Sequence, residues 1–196
     1  MKDINATVMV DISPPEEEIL KNLQKDARWG IKKAQKDGLI VEKSTDWESF
    51  YPIYLETLKE AGVKPETLEH LKEHAKALFL CKKDKNVIAG SSLDIVEGIP
   101  YLTRNASLKE YRSFQPNNLL YWQCILWSKQ NGYKKLNLGG WQINPRGNAA
   151  GVNKFKERWG KVEFYQKNYP FHVAIGRKLV RNFGFFRWLN DKLKGR

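Results

Sequence analysis

The side chains able to do chemistry are few and scattered along the chain. Of the three histidines, His70, His74 and His172, only the first two stand one helical turn apart, in a charged stretch. Such spacing suits either a pair of metal ligands or a solvated helix face, and the solvated face with no metal is the expectation. Cys81 and Cys124 lie in apolar segments without a basic neighbour that would favour the thiolate, so they read as small core residues. No serine–histidine–aspartate set, HExxH helix or phosphate-binding glycine loop is readable. The remaining candidates are a cation, Lys156, within Lys154, Lys156 and Arg158; the loop residue Arg112; the polar residues Tyr101, Ser107, Tyr111 and Asn118; and the pair Gly139-Gly140. Arginine can hold a phosphate or carboxylate with two parallel hydrogen bonds, and glycine lets backbone approach a ligand or a neighbouring element closely.

The elements that must position these residues follow from periodicity. Residues 6–12 alternate as a strand, and Ser13-Pro14-Pro15-Glu16 offers a capping box for a helix whose apolar residues, Ile19 through Ala34, recur at three and four until Gly38. Residues 39–43 read as a strand. Thr45-x-x-Glu48 caps a helix ending at Gly62, and Pro65 is expected to open another through about residue 78. Strands over 77–82, 86–96 and 99–105, joined by tight turns, form an antiparallel meander. A helix over 116–130, carrying Asn118 and Trp122, is buried around most of its circumference and leads into a strand over 135–138. A short helix over 153–159, carrying Phe155 and Lys156, a strand over 161–165 and a basic helix over 175–194 complete an α/β order: helices packed on the faces of a mixed, mostly antiparallel sheet.

The 196 residues, 41% hydrophobic and 29% charged, suit one compact domain. The formal charge of +12 points to an anionic partner such as RNA, DNA, a phosphorylated substrate or a membrane surface. Residues 1–120 are nearly balanced, so the excess lies in 121–196. DNA is not expected, because no helix-turn-helix, zinc finger or basic zipper is present. The C-terminal segment over 173–196 interleaves Arg177, Lys178, Arg181 and Arg187 with Phe183, Phe185, Phe186 and Trp188. Such a helix can dock by its apolar face, lie on an anionic membrane, or grip RNA phosphates. No export signal or bilayer-spanning run is expected, and two lone cysteines suit a reducing cytoplasm.

Several motifs, in order, resemble one family: Arg28-Trp29-Gly30-Ile31-Lys32-Lys33-Ala34 with Gly38, Tyr101-Leu102-Thr103-Arg104-Asn105-Ala106-Ser107, Tyr111-Arg112, Asn117-Asn118-Leu119-Leu120-Tyr121-Trp122, Leu138-Gly139-Gly140, and Phe155-Lys156-Glu157-Arg158-Trp159-Gly160. The set is similar to the Fem peptidoglycan-bridge aminoacyltransferases, built on a GNAT (N-acetyltransferase-like) fold. It extends over residues 6–166 and matches the second of the two modules that family members usually carry. The resemblance implies transfer of an aminoacyl group from aminoacyl-tRNA to an amine of a peptidoglycan-precursor peptide, with no cofactor. The absent first module would be supplied by a homodimer partner or another module, or be unnecessary. An aminoacyl ester is already activated, so the enzyme need only orient the reactants and stabilise the oxyanion. Lys156 matches the family's F-K-x-x-x-G element and is expected to be that cation. Tyr101, Ser107, Tyr111, Arg112 and Asn118 are expected to position the acceptor, with Phe155 and Trp122 as walls and Gly139-Gly140 lining the site. The family often has an acid where this chain has Asn137. An acyl-CoA-dependent N-acetyltransferase is the rival within the fold, yet the loop 112–118 has no glycine and Pro116 lacks an amide donor for a pyrophosphate. A non-catalytic RNA- or membrane-binding module is the alternative outside enzymology. The expected location is the cytoplasm, at the inner face of the membrane if the basic helix binds lipid.

Overall fold

The computed structural model describes residues 2–145 and 147–168. Residues 7–163 form one compact unit, while 2–6 and 164–168 belong to a second. The expected basic helix over 175–194, its boundary at 172/173, and His172 lie outside the described residues.

The elements run β1 (Lys2–Asp11), α1 (Glu16–Asn22), α2 (Lys25–Lys36), β2 (Ile40–Ser44), α3 (Trp47–Ala61), α4 (Leu68–His74), β3 (Ala77–Lys83), β4 (Asn86–Val96) and β5 (Ile99–Ser107). A 3-10 turn (Lys109–Phe114), α5 (Pro116–Gln130), β6 (Lys135–Trp141), α6 (Ala149–Glu157) and β7 (Lys161–Asn168) follow. The strand order is β2-β3-β4-β5-β6-β1-β7. From β2 to β5 the pairing is antiparallel, whereas β5 and β6 are parallel and share a single registered pair, Tyr101 with Asn137. The α/β class and the mixed, mostly antiparallel sheet are those expected from the residue pattern.

Strand β3 shows why the sheet is covered on both faces. Its run Ala-Leu-Phe-Leu-Cys is buried throughout. Ala77, Phe79 and Cys81 enter a core shared with α1, α2 and α5, whereas Leu78 and Leu80 enter a second core built with α3 and α4. A continuous apolar run of this kind marks a strand buried from both sides. Both cysteines are free and buried, and burial pushes the Cys81 thiol up to about 12, which leaves little thiolate for chemistry. The hairpin turns work by chirality: Asp84 and Lys85, and then Glu97 and Gly98, all have positive φ, as two-residue hairpins with the right-handed twist require.

Five sequence expectations need correction. The single helix after Ser13 is two. Leu23 and Gln24 are extended, because the Gln24 backbone N–H donates to the Arg158 carbonyl at 3.0 Å and its side-chain amide to the Glu157 carbonyl at 3.1 Å. The apolar period runs unbroken through this interruption, so periodicity does not reveal it. Ser13 does not cap: its hydroxyl donates to Asp11 at 2.6 Å. Asp46, rather than Thr45, caps α3 by accepting from the Ser49 amide at 3.0 Å. The helix expected from Pro65 to 78 is only Leu68–His74, capped by Thr67, because Glu66 is drawn to Arg104. The helix expected over 153–159 begins four residues earlier, at Ala149.

Arg104 is buried on β5 and makes a two-bonded contact with Asp94, at 2.9 and 2.8 Å, and another with Glu66, at 2.9 and 2.7 Å. This network fastens the α3–α4 loop to the sheet. A buried guanidinium is tolerable only with its charge so compensated.

Gly30 sits where α2 crosses α5, and a Cβ there would lie 2.3 Å from the Asn118 amide nitrogen and 3.0 Å from its Cβ. Gly30→Ala should gain about 1 kcal/mol of helix propensity but lose about 1–3 kcal/mol to overpacking. Urea denaturation should therefore show net destabilisation, largely recovered when Asn118→Ala is added.

Candidate active site

The site is built at the C-terminal end of β6. Gly139 has φ +84°, and a Cβ on it would stand 3.1 Å from the Leu102 carbonyl oxygen, 3.4 Å from Lys156 Nζ and 3.4 Å from Tyr101 Cε1. Both the backbone angle and the space therefore require glycine. The turn is held by side chains: the Gly139 amide donates to Asn137 Oδ1 at 2.8 Å, and the Thr7 hydroxyl reaches both the Gly139 carbonyl at 3.0 Å and Asn137 Oδ1.

Helix α6 brings Lys156 to this turn. Asn153, buried, pairs with the Gln142 backbone in both directions: its Oδ1 accepts from the amide at 3.0 Å and its Nδ2 donates to the carbonyl at 2.8 Å. One turn on, the Trp141 indole N–H donates to Glu157 Oε1 at 2.6 Å. Lys156 lies three residues after Asn153 and so shares its helix face. The opposite side of α6 is fixed by aromatic packing, Phe155 edge-on to Tyr121 at 5.1 Å and Trp159 against Tyr121 at 5.5 Å. Lys156 Nζ then donates to the Gly140 carbonyl at 3.0 Å. That is its one hydrogen bond among the described residues, and an ammonium has three protons to give.

Lys156 is half-buried and has no carboxylate partner among the described residues. Burial pushes its ammonium down to about 8 from the ordinary 10.5. At neutral pH the group is still mainly charged, in surroundings where its field is weakly screened.

The candidate residues fall into two groups. Lys156, Gly139, Gly140 and Tyr101 meet, with Phe155 behind them on the Tyr121 ring. The others gather at the start of α5. There Ser107 Oγ accepts from Asn117 Nδ2 at 3.2 Å, Arg112 pairs with Glu60 at 2.7 Å, and Asn118 Nδ2 donates to Gln115 at 2.9 Å. Tyr111 and Trp122 pack, half-buried, on the main core. Tyr101 and Ser107 are six residues apart on β5, about 20 Å at the rise of a strand. The Arg112 guanidinium holds the Glu60 carboxyl below the usual carboxylate range, so its charge is directed to an internal partner. The buried Oδ1 atoms of Asn117 and Asn118 lack a hydrogen-bond partner among the described residues. A cleft of about 820 Å³ lies elsewhere, at the junction of β1, β6, β7 and α1, with Asp11, Leu23, Lys135 and Trp159 among its lining and none of the candidate residues.

Thr7, Asn153 and the Trp141–Glu157 pair escape the sequence reading. Asparagine three residues before a candidate lysine is a signal only once the helix start at Ala149 is known.

No protein-family model matches the sequence, and no curated protein matches it. Solved structures do. FemX superposes with a TM-score of 0.71 at 17% identity, covering 83% of this chain and 60% of that one. The C-terminal domain of a putative lysylphosphatidylglycerol synthetase from Agrobacterium fabrum gives 0.60 at 12% identity, covering 84% of this chain and 60% of that one. An aminoglycoside acetyltransferase from an uncultured soil metagenomic sample gives 0.52 at 10% identity, covering 69% and 98%. The chain thus has the GNAT-like fold of FemX and spans about three fifths of the length of the first two of these structures. Among the described residues no helix is long and apolar enough to cross a membrane.

Asn153 is a positioning residue for Lys156. Asn153→Ala leaves the Gln142 amide and carbonyl without these partners, for a loss of about 1–3 kcal/mol. By NMR titration, Lys156 in that variant should move from about 8 toward 10.5; a purely structural role would leave it in place.

Proposed function

We propose that this chain is a Fem-like aminoacyltransferase module that moves an aminoacyl group from aminoacyl-tRNA to an amine of a peptidoglycan-precursor peptide. The observation that carries the reading is the delivery of a half-buried ammonium, Lys156, to the Gly139-Gly140 turn beside Tyr101. The superposition with FemX supports it at the level of the fold.

The acceptor's neutral amine attacks the ester carbonyl carbon, and the carbonyl π electrons move onto oxygen. A Lys156 N–H not engaged by Gly140 stabilises that oxyanion. Collapse of the tetrahedral intermediate breaks the bond to the ribose oxygen, which leaves with a proton. The nitrogen gives up its proton as the amide forms. Substrates enter beside the single registered pair of β5 and β6, where the parallel strands have least to hold them together. Phosphate contacts by the basic residues of 121–196 would hold the tRNA. A nucleotide-linked acceptor would be met in the cytoplasm, and the basic, aromatic composition of 173–196 suits an anionic membrane surface.

Incubation with charged tRNA and a UDP-linked muramyl peptide should add one aminoacyl residue to the peptide, detected by mass. Transfer from acetyl-CoA alone would overturn the donor assignment; salt-sensitive tRNA binding without any turnover would mean a binding module. Lys156→Met should lower kcat by about 100-fold or more, the scale of losing one oxyanion donor. Because the role needs the ammonium, wild-type turnover at saturating neutral amine should fall as pH rises through about 8. The residual activity of Lys156→Met should lack that limb. The same variant should unfold at higher temperature than wild type at pH 7, since a lysine whose folded pKa is depressed opposes folding while charged. That difference should shrink as pH rises from about 8 toward 10.5 and the wild-type group sheds its proton.

A further inference from the structure

Helix α4 projects two imidazoles and a carboxylate from one side. His70 and His74 have ring centroids 4.0 Å apart, and a nitrogen of each ring and a carboxylate oxygen of Glu73 all lie within 4.8 Å of one another. All three residues are exposed. Spacing alone is equally suited to a solvated helix face, but the neighbours of the rings add a second observation. His70 Nε2 stands 3.2 Å from Glu66 Oε1, and His74 Nδ1 stands 3.1 Å from the His70 carbonyl oxygen.

A carboxylate and a carbonyl can only accept here, so each of those nitrogens carries the proton in the neutral ring. The lone pairs are then on His70 Nδ1 and His74 Nε2. Imidazoles that ligate metals are prepared in this way, one nitrogen toward the ion and the other N–H given to a carboxylate or carbonyl that fixes tautomer and ring plane. Glu66 is itself held by the buried Arg104, through Oε2 at 2.9 Å and Oε1 at 2.7 Å. The carboxylate that orients His70 is therefore anchored in the sheet, and His74 is oriented by the α4 backbone, although the rings stand in solvent.

We infer that His70, His74 and Glu73 bind a divalent transition-metal ion of the zinc class. Two imidazoles and one carboxylate are borderline ligands that suit zinc and its neighbours, whereas magnesium and calcium prefer oxygen throughout. A tetrahedral zinc ion places its ligand atoms about 3.3 Å apart; the present separations are within 4.8 Å, and exposed side chains close the difference by rotation about χ1 and χ2. Three protein ligands leave the fourth position to water or to an exogenous group.

Calorimetric titration of zinc chloride into the full chain at pH 7.5 should give one saturable site, and cobalt in its place should give the visible absorption of tetrahedral coordination. His70→Ala and His74→Ala should each weaken zinc binding about tenfold or more with unchanged melting in the absence of metal, since both side chains are exposed. Magnesium should give no saturable heat. The assignment is overturned if wild type shows no saturation by about 1 mM zinc, a free energy of only about 4 kcal/mol, if the His70→Ala/His74→Ala double variant binds as wild type does, or if magnesium binds equally well.

Discussion

The two-way pairing of Asn153 with the Gln142 backbone is the contact on which the candidate site depends. It lets a side chain imitate the next rung of a sheet at the point where β6 ends, so a helix can begin its work where the ladder stops. Everything downstream inherits its position from that rung. Trp141 reaches Glu157, Phe155 and Trp159 close on Tyr121, and Lys156 is left pointing at the one glycine turn that has room for it. The end of α6 in turn supplies the carbonyls that break the first helical run at Gln24, so the clamp also sets where α2 starts.

The two strongest electrostatic features of the described residues follow opposite logics. Arg104 is buried and paired with two partly exposed carboxylates, each held by two hydrogen bonds, and so behaves as a structural fastener whose charge is compensated. Lys156 is half-buried against a carbonyl, without a carboxylate partner among the described residues, and its lowered pKa reflects desolvation that remains uncompensated. A cation kept in that condition is costly to the fold and able to respond to a new negative charge, which is the trade expected between stability and a preorganised site.

Much of the fold was legible because local signals and burial agree. The run Ala77–Cys81 reads as one strand of a meander, the Asp84-Lys85 and Glu97-Gly98 turns announce hairpins, and the helix over 116–130 has the bounds its pattern implies. The errors fall where long-range contacts override local pattern. Gln24 leaves the helix to bond residues more than 130 positions away, and Glu66 leaves a potential helix start for Arg104 on β5. The site divides in the same manner. Lys156 and the glycine pair stand out by residue type and motif, but Thr7, Asn153 and Trp141 acquire meaning only from the strands and helix that meet there. Arg112, chosen for its fork of donors, is directed to Glu60, a partner 52 residues earlier that no local rule identifies.

The place of β1 in the sheet has a consequence for synthesis. Strand β1 is made before the rest of this sheet yet belongs between β6 and β7, so Thr7 meets Asn137 and Gly139 only after some 130 further residues exist. At about 5–20 residues per second, that is a wait of roughly 7–26 s, during which Val8, Val10 and Ile12, all buried in the finished core, lack the part of that core that Leu136 and Leu138 of β6 supply. The meander from β3 to β5 can close within moments of its own emergence. The earliest-made strand of this sheet is thus among the last to find its register, and the interval leaves a β-prone apolar segment open to chaperones or to its counterpart on another nascent chain.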